Sequence, residues 1–238
     1  MYKILENKKI AKDVYRMVLA GSTEKLTRPG QFVNIRLDGL FLRRPISVCD
    51  YDENTLTLIY KVVGEGTAKM AALPPHAELD ILTGLGNGYD ISKSKKPLVI
   101  GGGVGVPPLY NLTKTLLAAG QQPTVILGFG TADEVFCEDA FKALGCKVYV
   151  TTVDGSHGIK GFVTDAMQGL DYDYFYTCGP MPMFRAVENA VNTSGQYSFE
   201  ERMGCGFGAC MGCSCKTKGG YKRICKEGPV LEREEIVW

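Results

Sequence analysis

Apolar and polar positions alternate in short runs through residues 1–92, broken by Gly, Asp and Pro. A period of two predicts strands at Asp13–Ala20, Gln31–Leu37, Ile46–Tyr51, Thr55–Val63 and Glu78–Thr83. A short helix is expected at Thr67–Leu73, ended by Pro74-Pro75. Several short strands separated by turn residues suggest a small β-barrel. The texture changes after Lys93-Ser94-Lys95-Lys96-Pro97, which has the composition of a linker. Apolar runs at Leu98–Gly101, Thr124–Gly128, Lys147–Thr151 and Tyr172–Thr177 then alternate with helical periodicity at Pro107–Ala119, Ala132–Leu144, Gly161–Gln168 and Pro180–Thr193. That alternation predicts a parallel sheet covered by helices on both faces. From about Ser198 the chain is rich in Gly and Cys, too irregular for a core and expected to be ordered only by something it binds. The organisation expected is a barrel over 1–92, an α/β domain over 97–195 and a cysteine-rich region over 198–238.

Composition narrows the function classes. The chain has 238 residues, 45% of them hydrophobic, which is enough for a full core. A formal net charge of +1 provides no strong field for nucleic acid or an anionic membrane. No apolar run approaches the roughly 18 residues of a membrane span. Met1-Tyr2-Lys3-Ile4-Leu5-Glu6 lacks the apolar stretch of a secretory signal, so a cytoplasmic location is expected. Nine cysteines are many for such a chain, and disulfides do not explain an odd number in a reducing compartment. Cys49, Cys137, Cys146 and Cys178 are scattered, as buried thiols are. The other five fall between positions 205 and 225, and that crowding points to a metal.

Cys205, Cys210, Cys213 and Cys225 are spaced C-x4-C-x2-C-x11-C, the plant-type 2Fe–2S pattern. Thiolates are soft anionic donors that neutralise the irons, and the x4 and x2 loops let three sulfurs converge. Gly206, Gly208, Ala209 and Gly212 leave room for backbone N–H groups to approach the sulfurs. A structural zinc site is the competing assignment. It takes two C-x2-C pairs or a Cys/His mixture, and here there is one such pair and no nearby His. Cys213-Ser214-Cys215 offers two candidates for the third ligand, and the x2 spacing selects Cys213.

Two further motifs bear on cofactors. In Arg43-Arg44-Pro45-Ile46-Ser47, Arg44 can pair with a diphosphate and Ser47 can hydrogen-bond a flavin ring near N5. A surface arginine before a strand is the plainer explanation of that motif alone. Val63-Gly64-Glu65-Gly66-Thr67, turning into a helix, suits a phosphate and adds weight to the pair. Leu98-Val99-Ile100 followed by Gly101-Gly102-Gly103-Val104-Gly105-Val106-Pro107-Pro108 is strand, glycine loop, helix. Its glycines admit a pyrophosphate, although Val106 breaks the G-x-G-x-x-G fingerprint. An ordinary strand-to-helix turn has no need of four glycines in five positions. Thr177-Cys178-Gly179-Pro180 ends another apolar strand, where ligands bind in open parallel sheets, so Cys178 is expected to face a nicotinamide pocket. Gly128-Phe129-Gly130-Thr131 is followed by no Arg or Lys before Lys142, which favours NAD over NADP.

Together, the R-x-x-S motif, the G-x-G-T turn, the GGGxGxPP loop and the CGP turn resemble the ferredoxin–NADP reductase superfamily. The tail, from Met203-Gly204-Cys205 through Cys225-Lys226-Glu227-Gly228-Pro229-Val230, is similar to that of the electron-transfer subunits of NAD-linked (type B) dihydroorotate dehydrogenase. So are Leu85-Gly86-Asn87-Gly88, Asp154-Gly155-Ser156 and Gly161-Phe162-Val163-Thr164-Asp165. The resemblance spans essentially the whole chain. It implies FAD in the barrel, held by Arg44, Pro45, Ile46, Ser47, Ile59, Tyr60, Lys61, Gly66 and Thr67. It implies NAD at Gly101, Gly102, Gly103, Gly105, Cys178, Gly179 and Pro180, with Ser47 and Cys178 beside the reacting atoms, and a 2Fe–2S cluster on the four cysteines. An FMN-containing catalytic subunit in a two-plus-two heterotetramer is implied as partner, in pyrimidine (UMP) biosynthesis. Two departures stand out: plant ferredoxin reductases have Tyr where Ile46 stands, and they end near an aromatic where this chain runs on into the cysteine region. Competing functions are the small subunit of an NADH-dependent ferredoxin:NADP oxidoreductase and a non-catalytic iron–sulfur redox sensor. Lys216, Lys218, Lys222, Arg223 and Lys226 are either a docking set or a solvated face.

Overall fold

A computed structural model describes all 238 residues. Seven antiparallel strands form the first unit: β1 (Tyr2–Ala11), β2 (Val14–Ala20), β3 (Phe32–Ile35), β4 (Arg44–Tyr51), β5 (Thr55–Lys61), β6 (Glu78–Leu79) and β7 (Ile81–Leu85), with helix α1 (Glu65–Ala71) between β5 and β6. The sheet order is β6-β1-β2-β5-β4-β3-β7. Its two ends, β6 and β7, are consecutive in the chain with only Asp80 between them, so the sheet curls into a nearly closed barrel. The single strand expected at Glu78–Thr83 is thus two strands. At the corner the Asp80 carboxylate accepts from both terminal nitrogens of Arg43, at 3.1 and 2.7 Å, where the chain passes from pairing with β1 to pairing with β3. Period two explains the interior: Leu56, Leu58 and Tyr60 of β5 face inward with Met17, Leu19, Val33 and Ile35.

The second sheet has the order β11-β10-β9-β8-β12-β13-β16. It comprises β8 (Pro97–Gly102), β9 (Thr124–Phe129), β10 (Lys147–Thr152), β11 (Ile159–Lys160), β12 (Tyr174–Cys178), β13 (Gly195–Ser198) and β16 (Val230–Glu232). All its pairings are parallel except β13–β16. Helix α2 (Pro107–Ala118) starts on two prolines, where the missing N–H costs nothing, and buries Leu109, Leu112 and Leu116 at helical spacing. Helix α3 (Glu138–Ala143) packs on the same face as α2, and α4 (Val163–Ala166) and α5 (Met181–Ala190) cover the other face. A hairpin of β14 (Ser214–Thr217) and β15 (Gly220–Arg223) stands in the cysteine region.

Several expectations are corrected. The helix at Ala132–Leu144 is broken: Cys137 takes a left-handed φ of 63°, and Phe136 turns inward to meet Phe129 edge-on at 5.3 Å. The helix at Gly161–Gln168 shrinks to four residues because Gly161, at φ 126°, cannot belong to it. The tail does join a core: Cys213, Ile224, Cys225, Leu231 and Ile236 pack with Leu98, Ile100 and Phe175. The linker composition at 93–97 belongs to a pinned segment, because the Asp173 carboxylate accepts from the Ser94 hydroxyl at 2.6 Å and from the N–H groups of Lys95 and Lys96.

The units are packed together. Val14, Cys49 and Ile59 on the barrel's outer face share a core with Val99, Leu109 and Leu112. Lys114 pairs with Asp50 at 2.7 Å across the same junction. Asn87, after β7, donates to the carbonyls of Glu227 (3.0 Å) and Val230 (2.7 Å) and accepts from Val230 N–H (3.1 Å), fastening the tail to the barrel.

Candidate redox site

Three clusters of side chains carry the candidate chemistry. The first lies on the barrel. Thr67 Oγ1 accepts from the N–H groups of Val63 (2.9 Å) and Gly64 (3.2 Å), closing the turn into α1. Gly66 is buried, and a Cβ there would overlap the Arg44 guanidinium. The R-x-x-S and G-x-G-T motifs are therefore in contact, and a side chain at residue 66 would displace the arginine. That cradle fits the diphosphate of a flavin dinucleotide. Ser47 and Ile46 are half-buried on β4, with Ser47 opposite Phe32. Tyr60 faces the barrel core and donates to Asn7 Oδ1 at 3.0 Å, and Ile59 packs on the α/β domain. Only their backbone is left to meet a flavin.

The second cluster is a cavity of about 590 Å³ between barrel and sheet. Gly102, Gly103, Gly105, Gly179 and Pro180 line it together with Lys61, Glu134 and Glu200. Gly105 explains the glycine loop, because any Cβ there would overlap the backbone of Cys178 and Gly179. The turn offers bare backbone, the surface that a dinucleotide's pyrophosphate needs. Gly101 lies just behind, buried against Val106 and Leu109. Cys178 is placed differently from its expectation. Its side chain packs in the core beside Tyr89 and outside the cavity lining, and burial pushes its thiol up to about 12.

Lys61 and Glu134 reach across the cavity from the two units and pair at 3.0 Å, while Glu134 also accepts from Gly130 N–H at 3.0 Å. Glu200 has no ion-pair or hydrogen-bond partner, and the protein crowded around it raises its carboxyl above the usual range. Sequence reasoning missed both acids. Glu200 was findable in principle, since it lies two residues past the carboxyl end of β13, but that strand was itself missed.

The third cluster holds the cysteines. All nine thiols are unpaired. Cys205 Sγ accepts from the N–H groups of Ala209 (3.2 Å) and Cys210 (3.4 Å), and Cys213 Sγ accepts from Cys225 N–H at 3.4 Å. Burial raises the Cys205 thiol, but N–H groups of Cys210, Phe207 and Ala209 outweigh it and bring the thiol down to about 6. Burial, then the Cys213 thiol, pushes Cys225 up to about 12. The four sulfurs fall into two pairs, Cys205 with Cys210 and Cys213 with Cys225. No three cysteine, histidine or acidic side chains are gathered closely enough to hold a single ion. Two pairs suit a two-iron cluster better than one zinc ion. Cys215 lies on β14 opposite Lys222, packed against the core that holds Cys213 and Cys225, and its sulfur has no hydrogen bond to either pair. Arg223 donates to Gly208 O at 2.6 Å and forks onto Glu227, tying the cysteine loop to the segment after Cys225. Lys222 and Arg223 are engaged with Glu235 and Glu227, which leaves Lys216, Lys218 and Lys226 of the basic set without an acidic partner.

Comparison with known proteins agrees with this layout. Residues 99–189 match an oxidoreductase NAD-binding domain, and residues 200–237 match the iron–sulfur cluster binding domain of dihydroorotate dehydrogenase B. The electron transfer subunit of dihydroorotate dehydrogenase B (NAD(+)) from Fusobacterium nucleatum is 49% identical over 97% of this chain and 95% of its own. The chain belongs to that family. The Bacillus mycoides subunit of the same name is 43% identical over 98% of this chain and 96% of its own. Among solved structures, an NADH-dependent reduced ferredoxin–NADP oxidoreductase superposes with a TM-score of 0.91 at 33% identity, covering all of this chain and 90% of that one. An Amycolatopsis cytochrome P450 reductase shares the fold over 79% of this chain, with a TM-score of 0.69 and 21% identity. Barrel, parallel sheet and iron–sulfur tail thus make up an oxidoreductase subunit. No helix is long and apolar enough to cross a membrane.

Proposed function

We propose that this subunit carries electrons from dihydroorotate, oxidised on an FMN-containing partner, through its 2Fe–2S cluster and FAD to NAD+ in UMP biosynthesis. One observation carries the reading: the Arg44–Gly66 cradle, the dinucleotide cavity and the paired thiols occupy one continuous structure, with Asn87 joining barrel to tail. Bound FAD supplies the conversion between single electrons at the cluster and the electron pair that NAD+ accepts. The chain's own residues hold and aim. Arg44 and the turn at Gly66 and Thr67 grip the diphosphate, with Pro45 and Ile46 flanking it and the backbone of Ile59, Tyr60 and Lys61 along the ring. Ser47 directs its hydroxyl to the reacting edge. Gly101, Gly102, Gly103, Gly105, Gly179 and Pro180 admit the nicotinamide dinucleotide, and Cys178 backs the pocket as packing. Cys205, Cys210, Cys213 and Cys225 would hold the 2Fe–2S cluster, which would supply single-electron transfer there. NAD is preferred because Glu134 and Glu200 add negative charge to a cavity whose only cation, Lys61, is paired.

The partner is a catalytic subunit in a cytoplasmic heterotetramer, two of each, docked on the side where Cys210 is exposed. Capture of the tagged chain from its native cell tests this. An FMN protein that oxidises dihydroorotate is expected in equimolar amount, and its absence from the captured complex refutes the assignment. The close superposition on the ferredoxin–NADP oxidoreductase favours one other reading, a small subunit serving a ferredoxin-linked partner. In that case the captured protein reduces or oxidises ferredoxin and ignores dihydroorotate.

A further inference from the structure

The residues assigned to FAD account for its ring and its diphosphate and leave its adenine without a partner. The loop from Asp38 to Arg44 lies over α1: Gly39 faces the Lys69 side chain, and the Arg44 guanidinium donates to the carbonyl of Leu42. Within that loop, Leu40 turns inward onto the barrel core and Phe41 turns out. Phe41 is fully exposed, at 100%, and it is the only aromatic ring of the barrel left bare in this way. It is covalently next to the residue whose carbonyl the diphosphate-binding arginine holds. A flat apolar ring presented to water beside a diphosphate grip matches a purine, whose face gains by stacking and whose edge stays hydrated.

We propose that Phe41 is the adenine platform for FAD and sets the chain's choice of FAD over FMN. The inference rests on the barrel being the FAD site. The ring stacks on one face of the adenine while Arg44 holds the diphosphate, so the adenosine half of the cofactor is clamped at two points. FMN has the phosphate and no purine, and gains nothing from Phe41.

Flavin release from the full-length holoprotein after dilution, followed by the rise in flavin fluorescence, tests this. Phe41→Ala and Phe41→Leu are each expected to speed FAD release about tenfold or more, from the size of an aromatic–base stack. Phe41→Trp is expected to stay within about threefold of wild type. The same proteins reconstituted with FMN are expected to release it at one common rate. Equal FAD release in all four proteins overturns the proposal, as does equal acceleration with FAD and FMN, which would mark a structural role. Unchanged FAD release with lost binding to the catalytic subunit also overturns it and makes Phe41 a docking residue. If wild type purifies without FAD, the barrel reading itself has failed, and that result precedes any difference between variants.

Discussion

Asn87 is a single side chain that fastens the cysteine tail to the barrel, so its loss should be felt at the metal site. Its amide makes three bonds to tail backbone: to the carbonyls of Glu227 and Val230, and from the N–H of Val230. Each such bond contributes roughly 0.5–1.5 kcal/mol net, so Asn87→Ala costs about 3 kcal/mol if all three are lost. For a chain of this size each kcal/mol lowers the melting temperature by roughly 2–4 °C, giving a fall of about 6–12 °C. The loss is local. Gly228–Glu232 and the segment carrying Cys225 loosen first, while the barrel keeps Arg44 on Gly66. In a thermal ramp read at the iron–sulfur absorbance and by flavin fluorescence, bleaching of the cluster should shift downward and precede flavin release. Asn87→Asp, which keeps the bond from Val230 N–H but sets a carboxylate oxygen against the carbonyls of Glu227 and Val230, should fall at least as far as Asn87→Ala. An unchanged melting temperature, with cluster and flavin lost together, would refute the idea that this residue anchors the tail.

Other consequences follow from the same geometry. Cys225→Ser should abolish the iron–sulfur spectrum and leave FAD bound, whereas Cys215→Ser should keep the spectrum; the reverse result would move the fourth ligand to Cys215. In cluster-free protein at pH 7, brief alkylation read by mass spectrometry should label Cys205 first. Its thiol at about 6 is mostly thiolate there, while Cys178 and Cys225, at about 12, are protonated. Gly105→Ala should weaken NADH binding at least tenfold with flavin and cluster content intact, because its methyl would overlap the backbone of Cys178 and Gly179; isothermal titration would show it.

Much of this layout was legible in the sequence. Alternation at Leu56, Leu58 and Tyr60 marked β5, and proline placement marked α2. The cysteine spacing chose Cys213 over Cys215, and in the structure Cys225 N–H donates to Cys213 Sγ. What stayed hidden depends on long-range pairing. Strand β1 is mostly polar beyond Ile4, because its outer half faces water while its backbone pairs with β2. Strand β13 is four residues long and begins with glycine, and β16 finds its partner from across the cysteine region. Cys178 has the right position in the chain for a ligand pocket, yet strand alternation turns its side chain into the core. Such a one-residue parity is fixed by which neighbours flank the strand, and a local pattern does not carry that information.

In the proposed relay, electrons from dihydroorotate reach NAD+ through this chain. The direct measurement is anaerobic NADH formation, followed by the absorbance of the reduced nicotinamide, by the purified catalytic partner with dihydroorotate and NAD+. NADH should form only when this chain is added, and Cys225→Ser should remove that formation while preserving NADH-dependent dye reduction. NADH appearing at the same rate without the chain, or with the Cys225→Ser chain, would contradict the relay.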